Sequence, residues 1–387
     1  MFSSRLAWDT RPNRISEALH ARRERGGEVL DLTESNPTRA GLLAAPAEEI
    51  AAALAVPRAA FYEPTPEGAP EARAAVSAYY AARGVTVEPD RILLTASTSE
   101  SYAWLFKLLA NPGDEVLVPR PSYPLFEFLA SLECVRVVHY PLLYHDGWQL
   151  DFGALESLLG PRTRAIVLVN PNNPTGSFLK RAEWTRLVEL CRRHSLAVIC
   201  DEVFADFAFE PDENRVATLA SGGDVLTFSL SGLSKVCGLP QMKLGWMVVS
   251  GPDPQRREAL DRLSLIADTY LSVGTPVQLA APRLLSLAAQ FQDALRTRLR
   301  DNLTLLRACV AAHPDVRLLA VEGGWYATLR LPRVRSEEEW VLALLDRGVL
   351  AQPGFFYDFE SEAYLILSLL PPPETFAPGC RRLFASA

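Results

Sequence analysis

The sequence is short of the features that mark most specialised protein classes. Its six cysteines form no CxxC pair, and Cys200 sits inside an apolar run, which argues against a disulfide framework and fits a reducing compartment. The five histidines show no metal-ligand spacing, so no metal is expected. No stretch approaches the roughly 20 apolar residues that span a bilayer. Residues 1–13 lack the apolar core of a signal peptide. Positive charge is not in excess: 39 basic residues stand against 46 acidic ones, a net charge of −7. That balance argues against nucleic acid and anionic membranes as partners. What remains is an ordinary composition for a cytoplasmic globular protein, 49% hydrophobic and 22% charged. A length of 387 residues favours two or three domains and allows a large core around a deep pocket.

Along the chain, an amphipathic helix over 14–25 ends at Gly26-Gly27, and Pro-punctuated connections follow. From about residue 70, helical patterns alternate with short apolar runs. Helices are predicted over 69–83 and 99–110. Strands are predicted over 91–95, 115–118, 165–169, 196–200, 224–228 and 245–249. This alternation predicts an α/β fold with a mostly parallel sheet covered by helices on both faces. Beyond about residue 282 the texture changes to a long Leu/Arg-rich helix over 284–313, then short strands over 325–331 and 364–369. We therefore expect a large domain over 46–282 and a smaller α+β domain built from both termini, 1–45 and 283–387.

Parallel sheets bind ligands at the carboxyl ends of their strands, and four of these ends carry polar clusters. Thr95-Ala-Ser-Thr-Ser-Glu100 leads into a helix, where free N–H groups, hydroxyls and the helix dipole suit a phosphate; a plain N-cap explains the same residues. Asn170-Pro-Asn-Asn-Pro-Thr-Gly176 holds more turn chemistry than a connection needs, and its prolines would fix Asn173 rigidly. Asp201 ends a buried strand, where an unpaired carboxylate is costly. Lys235 lies in the small-residue loop Ser229–Gly238, where burial would depress an amine's pKa; a solvated lysine is the ordinary alternative.

Taken together, these motifs resemble the class I/II aminotransferases, pyridoxal-phosphate enzymes of fold type I. The matched motifs run in order from Tyr62 to about Ser368. The resemblance implies pyridoxal phosphate as cofactor, held by Lys235 as a Schiff base, with Lys235 also moving the substrate's proton. It implies that Asp201 pairs with the ring nitrogen and keeps it protonated. Asn173 would bond the ring hydroxyl, and Tyr123, in Pro121-Ser-Tyr-Pro124, would stack on the ring. Ser97, Thr98, Ser99 and Lys243 would hold the phosphate, with Ser231 or Ser234 contributing. Tyr62 would reach the phosphate of a neighbouring subunit, which implies a homodimer. The implied activity is amino transfer from a donor to a keto acceptor; a lyase, decarboxylase or cyclising reaction is the rival on the same fold.

The chain departs from the family pattern in several places. Lys243 stands where arginine is usual, giving a point charge in place of a bidentate fork. Gly232 replaces a serine three residues before Lys235. Phe204 replaces a tyrosine, removing one hydrogen bond to the ring hydroxyl. Ile366, in Tyr364-Leu-Ile-Leu-Ser368, occupies the place of the arginine that grips the substrate carboxylate. Arg39, beside the candidate substrate residues Ser35 and Asn36, is the first candidate to replace it, and Arg330 the second.

Overall fold

The computed structural model describes residues 2–361 and 363–385. Its centre is an eight-stranded sheet in the order Ile92–Thr95, Gly245–Ser250, Thr227–Gly232, Ala197–Asp201, Thr163–Val169, Glu115–Arg120, Arg136–Tyr144, Trp148–Leu150. Gly245–Ser250 is antiparallel to both of its neighbours, and Trp148–Leu150 is antiparallel to Arg136–Tyr144; the other strands share one direction. The carboxyl ends of Ile92–Thr95, Thr163–Val169, Ala197–Asp201 and Thr227–Gly232 therefore meet along one edge, and Gly245 begins its strand there.

The near-continuous apolar runs are explained by burial on both faces. Ala165 and Val167 face a core shared with Trp104 and Leu105 of the Thr98–Leu109 helix and Leu263 of the Asp253–Tyr270 helix. Ile166 and Leu168 face the other way, onto Leu187 and Leu190 of the Arg181–His194 helix. Ala197 and Ile199 point toward the Thr98–Leu109 side. Side chains alternate along a strand, so Asp201 shares that face.

A separate four-stranded antiparallel sheet runs Arg317–Leu318, Tyr326–Arg330, Tyr364–Ser368, Gln352–Pro353. Leu30–Asp31 pairs in parallel with Val349–Leu350, so the N-terminal segment joins the C-terminal region. Ser368 fastens the two further, its N–H donating to the Leu32 carbonyl at 2.7 Å and its hydroxyl to the Glu34 carbonyl at 2.6 Å.

Three sequence expectations need correction. The strand placed over 224–228 is Thr227–Gly232. Its serines read as loop residues, yet ladders on both sides keep them in the sheet. The segment carrying Lys235 is a single helical turn, Leu233–Val236, not an open loop. The long helix over 284–313 is two helices, Thr275–Ser286 and Ala288–Ala311, with i→i−3 bonding from Leu287 to Leu284 at the break. The strand Arg136–Tyr144 was not anticipated, because Pro141 interrupts its pattern.

Candidate active site

The sheet edge collects polar groups that the fold itself does not use, and this separates candidate site residues from structural ones. The heptad Asn170–Gly176 has three asparagines. Asn170 donates to the Val216 carbonyl at 2.8 Å and accepts from the Leu179 N–H at 2.9 Å. Asn172 donates to Pro121 O and Thr175 Oγ1 and accepts from the Ser122 hydroxyl at 3.0 Å. Both are spent on holding the loop. Asn173 is buried, yet its Oδ1 has no partner among the described residues. An unmet buried acceptor costs about 1–3 kcal/mol, so this amide is kept for a bound group.

The adjacent acids divide in the same way. Glu202 accepts from the Thr218 hydroxyl at 2.6 Å and the Leu219 N–H at 2.7 Å. Asp201, equally buried, has only the Val203 N–H on Oδ1 at 3.2 Å and the Tyr102 hydroxyl on Oδ2 at 3.4 Å. Burial pushes its carboxyl up to about 6, against the opposing pull of these two donors and the Lys235 charge. No salt bridge reaches it among the described residues. A cation brought to this carboxylate would relieve the desolvation.

The chain has four lysines. Lys107 pairs with Glu133 at 2.5 Å, and Lys180 pairs with Glu322. Lys235 has no carboxylate contact among the described residues; its Nζ sits 4.7 Å from the Trp325 ring centroid and 5.5 Å from that of Phe204. Burial in this aromatic corner lowers its pKa to about 8, although the Asp201 charge acts in the other direction. Roughly a tenth of the amine is then neutral at pH 7, several hundredfold more than for a solvated lysine. Lys243 is exposed, in a left-handed conformation (φ 50°) after the Pro240–Met242 turn. The Leu244 carbonyl accepts from the Leu233 N–H at 3.0 Å, which fixes that turn against the Lys235 segment.

At the start of the Thr98–Leu109 helix, Ser97 is the N-cap and accepts from the Glu100 N–H at 3.2 Å. The Thr98 and Ser99 amides keep no acceptor among the described residues, as expected for a first turn. Gly245 lets the strands close on this helix end: a Cβ there would lie 3.1 Å from Ser231 O and 3.3 Å from the Ser97 carbonyl carbon. The buried Ser231 hydroxyl also lacks a partner among the described residues. Ser234 lies on the Lys235 turn and is half-buried. Tyr123 is partly exposed; burial, then the Asp201 charge, pushes its phenol up to about 12.

The cofactor implied by the resemblance fits this arrangement. Asn173, Asp201, Lys235 and the Ser97–Ser99 turn offer an unmet acceptor, an uncompensated carboxylate, an activated amine and free N–H groups. Those match, in turn, a ring hydroxyl, a ring nitrogen, an aldehyde and a phosphate.

Other expected residues lie farther out. Ser35 is hydrogen-bonded to the Tyr326 hydroxyl, whose ring is 6.3 Å from that of Phe204. Asn36 caps its own loop, accepting from the Thr38 N–H and hydroxyl. Arg39 is 69% exposed and pairs with Glu34 at 2.9 Å. Arg330 is exposed at the end of its strand, opposite Tyr364. Ile366 is fully buried, opposite Thr328, whose hydroxyl has no partner among the described residues. Tyr62 is 77% exposed beside Leu271, Ser272 and Gln278, with no contact to the Lys235 cluster among the described residues. Sequence reasoning missed Tyr102, Trp325 and Tyr326. Of these only Tyr102 carried a signal, standing one helical turn after Thr98 on the same face.

The model of the family described as aminotransferase class I and II matches residues 27–381. The chain is 33% identical to glutamate–pyruvate aminotransferase of Escherichia coli over 277 residues, covering 70% of this chain and 67% of that protein. It is 29% identical to alanine aminotransferase of Mycobacterium tuberculosis over 366 residues, 92% of this chain and 85% of that one. In structure it is similar to an aminotransferase from Escherichia coli, with a TM-score of 0.87, 26% identity, and coverage of 100% of this chain and 97% of the other. With the family model matched over nearly the whole length, the chain belongs to the class I and II aminotransferases and is a pyridoxal-phosphate-dependent transaminase.

Proposed function

We propose that this transaminase exchanges amino groups between small α-amino acids and 2-oxo acids, with alanine and pyruvate as one side of the exchange. The observation that carries the reading is the set of polar groups left unspent around Lys235, Asp201 and Asn173. The names of the relatives, glutamate–pyruvate and alanine aminotransferase, support the substrate class.

Bound pyridoxal phosphate supplies an electrophilic carbon for the amino group and an electron-poor ring. Around it, Lys235 Nζ takes the proton from the substrate α-carbon and returns it on the other side of the exchange. Asp201 holds positive charge at the ring nitrogen. The Asn173 amide orients the ring hydroxyl, and Tyr123 covers the open side and keeps water off. The first turn at Ser97, Thr98 and Ser99, with Ser231, Ser234 and Lys243, receives the phosphate.

The substrate carboxylate needs a cation, and Ile366 offers none. Arg39 supplies it in this reading: its loop is fastened to Ser368 and Tyr326, and its one ion-pair partner among the described residues is the exchangeable Glu34. Arg330 is the second candidate. A different reading, a substrate without a free α-carboxylate, is favoured by the uncharged wall at Ile366 and the open Thr328 hydroxyl.

We further place Tyr62 at the phosphate of a second subunit in a homodimer. Its exposure, shared with Phe61, Leu265 and Tyr270, supports this. The bounds 46–282 for a large domain, and 1–45 with 283–387 for a small one, accord with the pairing of Leu30–Asp31 with Val349–Leu350. Six unpaired cysteines support a cytoplasmic setting.

The test loads the enzyme with pyridoxal phosphate and follows its visible band. Alanine should bleach the band and pyruvate should restore it, and Arg39→Ala should raise the alanine KM by more than tenfold. If amines without a carboxylate react and alanine does not, the second reading replaces the first.

A further inference from the structure

We propose that Tyr102 is the positioning residue for Asp201, its buried hydroxyl donating to Oδ2 so that the carboxylate stays a weak base aimed at the cofactor's ring nitrogen. The proposal rests on the reading that Asp201 pairs with that nitrogen.

Tyr102 is 2% exposed on the Thr98–Leu109 helix, one turn past the residues that receive the phosphate. The parity of Ala197, Ile199 and Asp201 directs the carboxylate toward this helix rather than toward Arg181–His194. The hydroxyl lies 3.4 Å from Asp201 Oδ2, and no other acceptor is near it among the described residues. The Tyr102 ring is held by Phe126 at 5.4 Å in an edge contact and by Phe106 at 5.9 Å. It cannot swing away without opening the core between helix and sheet.

A phenylalanine would pack equally well, so the hydroxyl needs a reason. A buried O–H is costly without a partner, and Asp201 is the only one offered among the described residues. The carboxylate gains as much. Val203 N–H holds Oδ1, and among the described residues Tyr102 is the only side chain that donates to the carboxylate.

The consequence is chemical. A proton shared between Asp201 and a ring nitrogen resides on the weaker acid's conjugate, so its place depends on how basic the carboxylate is. A donor on Oδ2 lowers that basicity and leaves the proton on nitrogen. One helix then sets both ends of the cofactor: its N-terminus meets the phosphate, and its second turn fixes the group facing the ring nitrogen. The titratable groups around Asp201 are Tyr102, Tyr123, Cys200 and Lys235. Of these, only Tyr102 hydrogen-bonds the carboxylate.

The experiment is Tyr102→Phe in the holoenzyme, compared with wild type and Asp201→Asn. With cofactor labelled at the ring nitrogen with 15N, Tyr102→Phe should move the resonance toward the unprotonated position. The kcat should fall five- to twentyfold, with the alanine KM within twofold. In the cofactor-free protein, the 13C-observed titration midpoint of Asp201 should rise in Tyr102→Phe. If Asp201→Asn is crippled but Tyr102→Phe keeps the wild-type resonance, kcat and midpoint, Tyr102 is only packing and the proposal is overturned. If Asp201→Asn itself keeps the wild-type resonance and rate, the underlying reading of Asp201 fails instead.

Discussion

The two walls of the site are built on opposite principles. On the side of the large sheet, the fold leaves groups unmet: Asn173 Oδ1, the Ser231 hydroxyl, the Asp201 carboxylate and the Lys235 amine. On the side of the small sheet, Ile366 is sealed into the core, and the first candidate cation, Arg39, is already paired with Glu34. Unmet buried groups cost stability, and natural folds carry few of them. Those around Lys235 are the ones a fixed ligand would meet. The other wall carries the buried Ile366 and the Arg39–Glu34 pair, and its one open hydroxyl beside Ile366 is that of Thr328 among the described residues.

The largest effects are expected on the first wall. Lys235→Ala should abolish turnover and leave the fold intact, because the side chain makes no ion pair among the described residues and faces aromatic rings. Borohydride treatment of the loaded wild type should fix the cofactor on Lys235. With four lysines in the chain, peptide mapping decides this cleanly, and a label on Lys243 would refute the assignment. Asp201→Ala comes next, with a loss of several orders of magnitude in kcat that exceeds its loss of cofactor affinity. A variant within about tenfold of wild type, near 1.4 kcal/mol of barrier, would mean that Asp201 does not face the ring.

The contrast between the walls also explains what the sequence could reveal. The heptad Asn170–Gly176 was legible because prolines and asparagines at a strand end are turn chemistry in excess of need. Its prolines singled out Asn173, but that the other two asparagines are spent on the loop depends on Val216, Pro121 and Ser122 reaching them. Tyr102 stood one helical turn after Thr98 on the same face, but an aromatic in an apolar helix reads as core, and it is also core, so that signal was overlooked. The serines at 229 and 231 suggested a loop because the ladders that hold them are long-range. Ile366 was visible as a departure from the family, whereas the pairing of Arg39 with Glu34 was not. The alternation of strands and helices was plain; the break at Leu287 lay beyond reach of periodicity, since both sides of it are helical.

A middle-sized effect tests whether the first wall is under stress. Burial holds the Asp201 carboxyl near 6 in the folded chain, against 3.8 when exposed. Between those values the folded chain binds a proton that the unfolded chain has released. The group's contribution to stability is therefore greatest at low pH, falls as pH rises from about 4 to 6, and is flat above. The fall should not exceed about 3 kcal/mol. Denaturant titrations of cofactor-free wild type and Asp201→Asn between pH 4 and 7.5 should show wild type losing stability relative to the variant across that window. Parallel curves would mean that the carboxylate is not desolvated. Added pyridoxal phosphate should reduce the loss, since it brings the cation that the wall lacks.

The smallest effect belongs to the second wall, and it decides how that wall meets a carboxylate. Arg39 is mostly exposed, so its pair with Glu34 should contribute no more than about 1 kcal/mol to stability. Glu34 nevertheless competes with an incoming carboxylate for the same guanidinium. Its second oxygen accepts from the Asn36 N–H at 2.9 Å. A glutamine retains that acceptor and so retains the loop, while giving up the charge. Glu34→Gln should therefore leave Tm and kcat nearly unchanged and lower the alanine KM a few-fold, an effect on the order of 1 kcal/mol. Combining it with Arg39→Ala should erase the gain, because the freed cation is then missing. A lowered KM that survives the double variant would show that Glu34 acts by general repulsion and would pass the role to Arg330. An unchanged KM in Glu34→Gln, with no penalty in Arg39→Ala, would remove Arg39 from the site and leave the uncharged wall at Ile366 as the surface that selects the substrate.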